Sequence, residues 1–245
     1  MNKITIGFII SFLASFSTLF GTFLIFIPSK YQDRIISFSL AFSAGVMIII
    51  SFFSLIPEAF HYLARNFSFI VVAIFFVVGI IISSSIDFLI SKKQNNNTLY
   101  RLGLISILVL ILHNIPEGIT SFLTTTSNVK LGLTLSLGIA LHNIPEGIAI
   151  AIPIYYSTFN KWKAINYTAI SGFSELLGAI LAYIFLIRYL NFFLIGIILI
   201  ITAGVMFHIS VYELLPNSIK YNSDEFAIIG FFSGIVLMLI TLIIL

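Results

Sequence analysis

His113-Asn114-Ile115-Pro116-Glu117-Gly118 and His142-Asn143-Ile144-Pro145-Glu146-Gly147 are two copies of one phrase, each inside a stretch apolar enough to cross a bilayer. Histidines and carboxylates are expensive at bilayer depth and by default mark function there. On a helix, His113 and Glu117 stand four apart and Asn114 and Glu117 three apart, so all three share one face. Imidazole, carboxylate and amide oxygen together form a ligand set for divalent cations. Pro116 and Pro145 each lack an N–H and crowd the carbonyl four residues back, which frees Leu112 O and Leu141 O. A freed carbonyl in a membrane must meet protein, water or an ion.

Around these phrases the composition fixes the setting. The 245 residues are 60% hydrophobic and 9% charged, too few polar groups to cover a soluble globule. The fold class expected is all-α: a polytopic membrane protein of eight transmembrane helices, forming a single transmembrane domain over 1–245. Apolar runs of sufficient length occupy about 4–27, 35–60, 67–90, 101–124, 131–156, 164–187, 192–216 and 225–245. The first is too long for a signal-peptide core and has no small-residue cleavage site before Pro28, so it counts as a span. With no cysteine, a disulfide framework, a thiolate metal site and a Cys nucleophile are excluded. The net charge of +3 comes from bases between spans and calls for no nucleic-acid partner.

Those bases also orient the chain. The loops after spans one, three, five and seven hold Lys30, Arg34, Lys92, Lys93, Arg101, Lys161, Lys163 and Lys220, and the opposite side holds Lys3, Arg65, Lys130 and Arg188. The positive-inside rule places the first group in the cytoplasm and both termini outside. The loop Ser91 to Thr98, rich in asparagine, is a short polar connection without metal-site character.

A second repeat is less conspicuous. Ser43 to Pro57 (SAGVMIIISFFSLIP) matches Thr202 to Pro216 (TAGVMFHISVYELLP) at constant offset. These segments lie on spans two and seven, which an odd number of crossings separates, so they run in opposite directions, as do spans four and five. Inverted repeats characterise transporters, whose sites lie near the midplane on helices interrupted by Pro or Gly. If spans four and five pack antiparallel, His113 approaches Glu146, His142 approaches Glu117, and Asn114 and Asn143 lie alongside. Glu117 and Glu146 could then bridge two ions, with Glu175 of span six as the closing ligand; three carboxylates nearly balance two divalent cations, as a low-dielectric midplane requires. His208 has no carboxylate three or four residues away and is expected to bond a neighbour. Glu58 and His61, near the outer end of span two, read either as an entrance that collects cations or as an interfacial pair, and Glu213 marks the exit.

Together the doubled phrase, Glu175 within Ser171-Gly-Phe-Ser-Glu-Leu-Leu-Gly178 and the Ala-Gly-Val-Met segments resemble the ZIP (Zrt/Irt-like) family of divalent-metal transporters, within it the bacterial ZupT-like branch. The likeness covers nearly all of spans two to seven. It implies eight helices with both termini outside, a binuclear centre between spans four, five and six, and uptake of zinc and other divalent metals into the cytoplasm. It also implies His113, Asn114, Glu117, His142, Asn143, Glu146 and Glu175 as the metal ligands. Asparagines replace the histidine-rich loop of many members, and Asn143 stands where some carry a carboxylate, which implies a weaker second ion. The expectation is therefore a transporter in the cell membrane, not an enzyme, with Zn²⁺, Fe²⁺, Mn²⁺ or Co²⁺ as cargo, no catalytic cofactor, the bilayer as its surroundings, and a homodimer compatible with all of this. Nitrogen and oxygen ligands favour these ions over Cu⁺. The alternative is an intramembrane metal-dependent hydrolase, because two bridged metals can activate water; a zincin would place Glu where Asn114 and Asn143 stand.

Overall fold

The computed structural model describes residues 2–27, 29–63, 69–93, 98–186, 192–221 and 223–244. Eight helices of membrane length run through them: span 1 (Lys3–Phe26), span 2 (Gln32–Leu63), span 3 (Phe69–Ile90), span 4 (Thr98–Ser127), span 5 (Val129–Thr158), span 6 (Lys161–Phe185), span 7 (Phe193–Tyr221) and span 8 (Asp224–Ile244). No strand occurs among the described residues, and the chain is an all-α, multi-pass membrane protein. Pro28, Arg65, Arg188 and the loop residues 94–97 lie outside the described residues. Spans 4 and 5 run past the hydropathic limits of 101–124 and 131–156 because polar residues continue both helices up to one shared cap. There Asn128 Oδ1 accepts from the backbone N–H groups of Lys130 and Leu131 at 3.1 and 3.2 Å, as an N-cap does. Both helices stay α-helical through Pro116 and Pro145.

Close backbone approaches show how the spans are arranged. A Cβ added to Gly118 of span 4 would strike the Glu175 carbonyl of span 6, and one added to Gly178 of span 6 would strike the Ile115 carbonyl of span 4. Small residues permit such approach between membrane helices. Spans 5 and 1 repeat the arrangement, with Gly147 against Thr18 O and Gly21 against Ile144 O. A second pattern joins span 2 to span 8, through Gly45 and Phe231 O, and span 7 to span 3, through Gly204 and Phe76 O. Each of these contacts has its counterpart, so spans 1–3 and 6–8 are inverted repeats and spans 4 and 5 exchange places about the pseudo-twofold axis.

The likeness of spans 2 and 7 extends to a helical irregularity. Both widen into a π-helical turn, at Ser51–Leu55 and Ile209–Leu214, shortly before Pro57 and Pro216. A helical proline would collide with the carbonyl four residues back, and a wider turn relieves the collision. Ser51 Oγ donates to Met47 O at 2.8 Å and Ser210 Oγ to Met206 O at 2.7 Å at the start of each turn. The apolar core, with Met47, Ile50, Leu102, Leu110, Ile150 and Met206 fully or almost fully buried, lies among spans 2, 4, 5 and 7. Exposed residues such as Leu133, Leu137, Phe232 and Ile243 form the lipid-facing belt. Replacing Gly118 by Val should lower stability by about 1–3 kcal/mol, the usual cost of overpacking, whereas the lipid-facing Leu137→Ala should change it by less than about 0.5 kcal/mol; thermal unfolding in detergent, followed by size-exclusion chromatography, measures both.

Candidate metal centre

The antiparallel packing of spans 4 and 5 brings the two phrases face to face. His113 Nε2 lies 3.1 Å from Glu117 Oε1 on its own helix and 3.1 Å from Glu146 Oε1 across the pair. His142 Nε2 lies 2.9 Å from Glu117 Oε1, and the imidazole centroids are 6.3 Å apart. Ligand atoms of His113, His142 and Glu146 all fall within 4.8 Å of one another, compact enough to share one ion. His113 Nε2 has distance but not alignment for a hydrogen bond to either carboxylate, and both Glu146 oxygens lack a hydrogen-bond partner among the described residues. These atoms keep lone pairs for a ligand.

Asparagines do the positioning. Asn114 Nδ2 donates to Ser171 O of span 6 at 3.0 Å, and Asn143 Nδ2 donates to Ala14 O of span 1 at 3.0 Å and to Glu175 Oε2 at 2.8 Å. Because each amide gives its N–H groups to neighbouring spans, its oxygen is left over. Asn114 Oδ1, Asn143 Oδ1, Glu117 Oε2, Glu146 Oε2 and Glu175 Oε1 are all buried and unpartnered among the described residues. The cluster thus has a face of imidazole nitrogen and carboxylate oxygen, and a remainder of oxygen alone. All seven residues singled out from the sequence are buried: His113, Glu117, His142 and Glu146 contact one another, Asn143 and Glu175 are joined by a hydrogen bond, and Asn114 is tied to Ser171 of span 6. Unpaired polar and charged groups are costly at this depth, and cations are what a surplus of carboxylate oxygen accommodates. Each histidine also borders an apolar cavity: one of 180 Å³ beside Leu112, His113 and Thr202, the other of 250 Å³ beside Ser54, Gly138 and His142.

Other polar residues have separate partners. His208 Nδ1 and Ser83 Oγ are hydrogen-bonded at 3.0 Å, the neighbour contact its spacing predicts. Glu58 is half-buried and bonds Tyr62, while His61 is exposed. Glu213 is buried in a network whose Arg101 links have no helical spacing to announce them: Arg101 bonds Asp87 at 2.9 Å and Glu213 at 3.5 Å, Asn217 Nδ2 donates to Glu213 O at 2.6 Å, and Lys220 Nζ donates to Asn217 Oδ1 at 3.0 Å. Span 1 supplies the Ala14 carbonyl that holds the Asn143 amide. The signal for its role is Phe16-Ser17-x-Leu19-x-Gly21, repeated as Phe173-Ser174-x-Leu176-x-Gly178 in span 6.

Comparison with known proteins identifies the family. The family model for the ZIP zinc transporter matches residues 92–242. The chain is 37% identical to the zinc transporter ZupT of Oceanobacillus iheyensis over 100% of both chains. It is 34% identical to that of Clostridium perfringens, over 99% of this chain and 96% of the relative, and 36% identical to that of Streptococcus mutans, over 96% of each. With its buried histidine and carboxylate cluster between inverted repeats of membrane helices, the chain belongs to the ZIP family of zinc transporters.

Proposed function

We propose that the chain works as one transport unit over residues 1–245, carrying zinc, and with it iron, manganese or cobalt, across the cell membrane into the cytoplasm through the cluster on spans 4, 5 and 6. The observation that carries this reading is His113 Nε2 standing 3.1 Å from carboxylates of both central helices, a mixed nitrogen and oxygen set suited to borderline divalent ions. His113, His142 and the Oε1 atoms of Glu117 and Glu146 take one ion. Asn114, Asn143 and Glu175, with the second oxygens of the bridging glutamates, take another. Neutral amide ligation keeps the second ion exchangeable, which suits a carrier that must release what it binds. Ions enter past Glu58 and His61, cross the centre, and leave past Glu213 at the end rich in lysine and arginine, with both termini on the outside.

Glu117→Ala, which removes the residue that faces both histidines, should reduce zinc uptake into proteoliposomes to background at unchanged protein incorporation. Uptake at the wild-type rate would overturn the site. Asn143→Asp removes the amide that now bonds Glu175 and sets a second carboxylate beside it, so the metal-free protein should melt lower and zinc should raise its melting temperature further than in wild type; bound ligand stabilises by about 2.7 kcal/mol at 100 times its Kd. Orientation is read by single-cysteine labelling: Lys30→Cys should react only from the cytoplasmic side and Asn128→Cys only from outside.

A further inference from the structure

Span 1 stands to the centre on one side as span 6 does on the other. Asn143 donates to Ala14 O and Asn114 to Ser171 O, each at 3.0 Å. Ser17 Oγ then bonds Ala14 O at 2.6 Å and Ser174 Oγ bonds Ser171 O at 2.5 Å. Gly21 and Gly178 close the match by seating against Ile144 and Ile115 of the central pair. The sequences run in step, Phe16-Ser17-Thr18-Leu19-Phe20-Gly21 beside Phe173-Ser174-Glu175-Leu176-Leu177-Gly178, so the pseudo-twofold axis carries Glu175 onto Thr18.

Thr18 is fully buried, and its Oγ1 has no hydrogen-bond partner among the described residues. Helical Ser and Thr hydroxyls ordinarily bond a carbonyl three or four residues back, as Ser15, Ser17 and Thr22 of the same span do. Thr18 does not. Its Oγ1 instead faces span 6, where a Cβ on Gly172 would lie 2.9 Å from it, next to the Ser171 carbonyl that receives the Asn114 amide. The pseudo-twofold axis thus pairs Thr18 with Glu175, but Asn143 donates to Glu175 Oε2 at 2.8 Å whereas Thr18 Oγ1 receives no bond from Asn114.

We infer that Thr18 Oγ1 is the uncharged sixth ligand of an all-oxygen subsite, joining Asn114 Oδ1, Asn143 Oδ1, Glu117 Oε2, Glu146 Oε2 and Glu175 Oε1, each of them buried and unpartnered among the described residues. The inference rests on the metal-centre reading above and adds to it a ligand from span 1 and a chemical class for the second ion. Six oxygens without nitrogen suit a hard divalent cation of the manganese type, whereas the imidazole face suits zinc. A hydroxyl in the position corresponding to Glu175 fills the coordination sphere without adding a fourth carboxylate.

The test titrates Mn²⁺ into the purified, zinc-loaded full chain and reads bound Mn²⁺ by electron paramagnetic resonance. Thr18→Val, isosteric but without the hydroxyl, should weaken Mn²⁺ binding about tenfold, Thr18→Ser should stay within about twofold of wild type, and Thr18→Glu should bind at least about tenfold tighter, a factor of ten being one unit of log Kd. Equal Mn²⁺ affinity in wild type and Thr18→Val overturns the role of Thr18, as does a wild type that takes up no Mn²⁺ beside its zinc. If Thr18→Val is not monodisperse, equal affinity in wild type and Thr18→Glu decides against the inference instead. Glu117→Ala separates the two levels: full zinc binding in that variant overturns the metal centre itself, whereas its loss together with an unaffected Thr18→Val overturns only the sixth ligand.

Discussion

Buried imidazole and carboxylate groups in a low-dielectric centre have to be compensated by one another or by a cation, and the architecture follows from meeting that requirement twice over. The two phrases meet because spans 4 and 5 are antiparallel, which sets His113 against Glu146 and His142 against Glu117. Glycine lets the flanking helices come close enough to matter, with Gly118 under the Glu175 carbonyl and Gly147 under that of Thr18. The asparagine amides then tie spans 1 and 6 to the centre by hydrogen bonds to Ala14 O and Ser171 O. Packing and ligand geometry are thus settled by the same few residues, and a change in one is felt in the other.

Inverted symmetry organises the molecule, and its exceptions are informative. Gly45 and Gly204 and Pro57 and Pro216 correspond residue for residue, and the two π-helical turns end in step at Leu55 and Leu214. Acids outside the doubled phrase do not: Glu175 corresponds to Thr18, Glu213 to Ser54, and Glu58 to Asn217. A strictly symmetric carrier would present the same charges to both sides of the membrane. Here the scaffold and the central glutamate pair are duplicated and the flanking charge is not, so the two halves differ in electrostatics while sharing one packing plan.

Much of this was legible in the sequence because ligand chemistry depends on residue identity. A histidine and a glutamate four apart inside an apolar run, written twice, left few readings, and His113, Glu117, His142 and Glu146 of that pattern meet in the fold. Span 1 was harder to read. Its match to span 6 rests on Phe, Ser, Leu and Gly, common in any membrane helix, and the one residue that would have announced it is threonine in place of glutamate. The Arg101 network escaped for a different reason: its partners lie 14 and 112 residues away, and no helical period links them. Helix ends ran beyond the hydropathic limits because polar residues at the membrane surface continue a helix as readily as they end it.

The single residue between spans 4 and 5 has one more consequence. Asn128 closes the hairpin, with His113 fifteen residues before it and His142 fourteen after, so the distance of each imidazole from the bend is counted out along the chain. Each residue of an α-helix turns it by about 100° and advances it by about 1.5 Å. An inserted or deleted residue in either arm would swing one set of ligands out of opposition to the other, and this pair of helices therefore tolerates substitution far better than any change in its length.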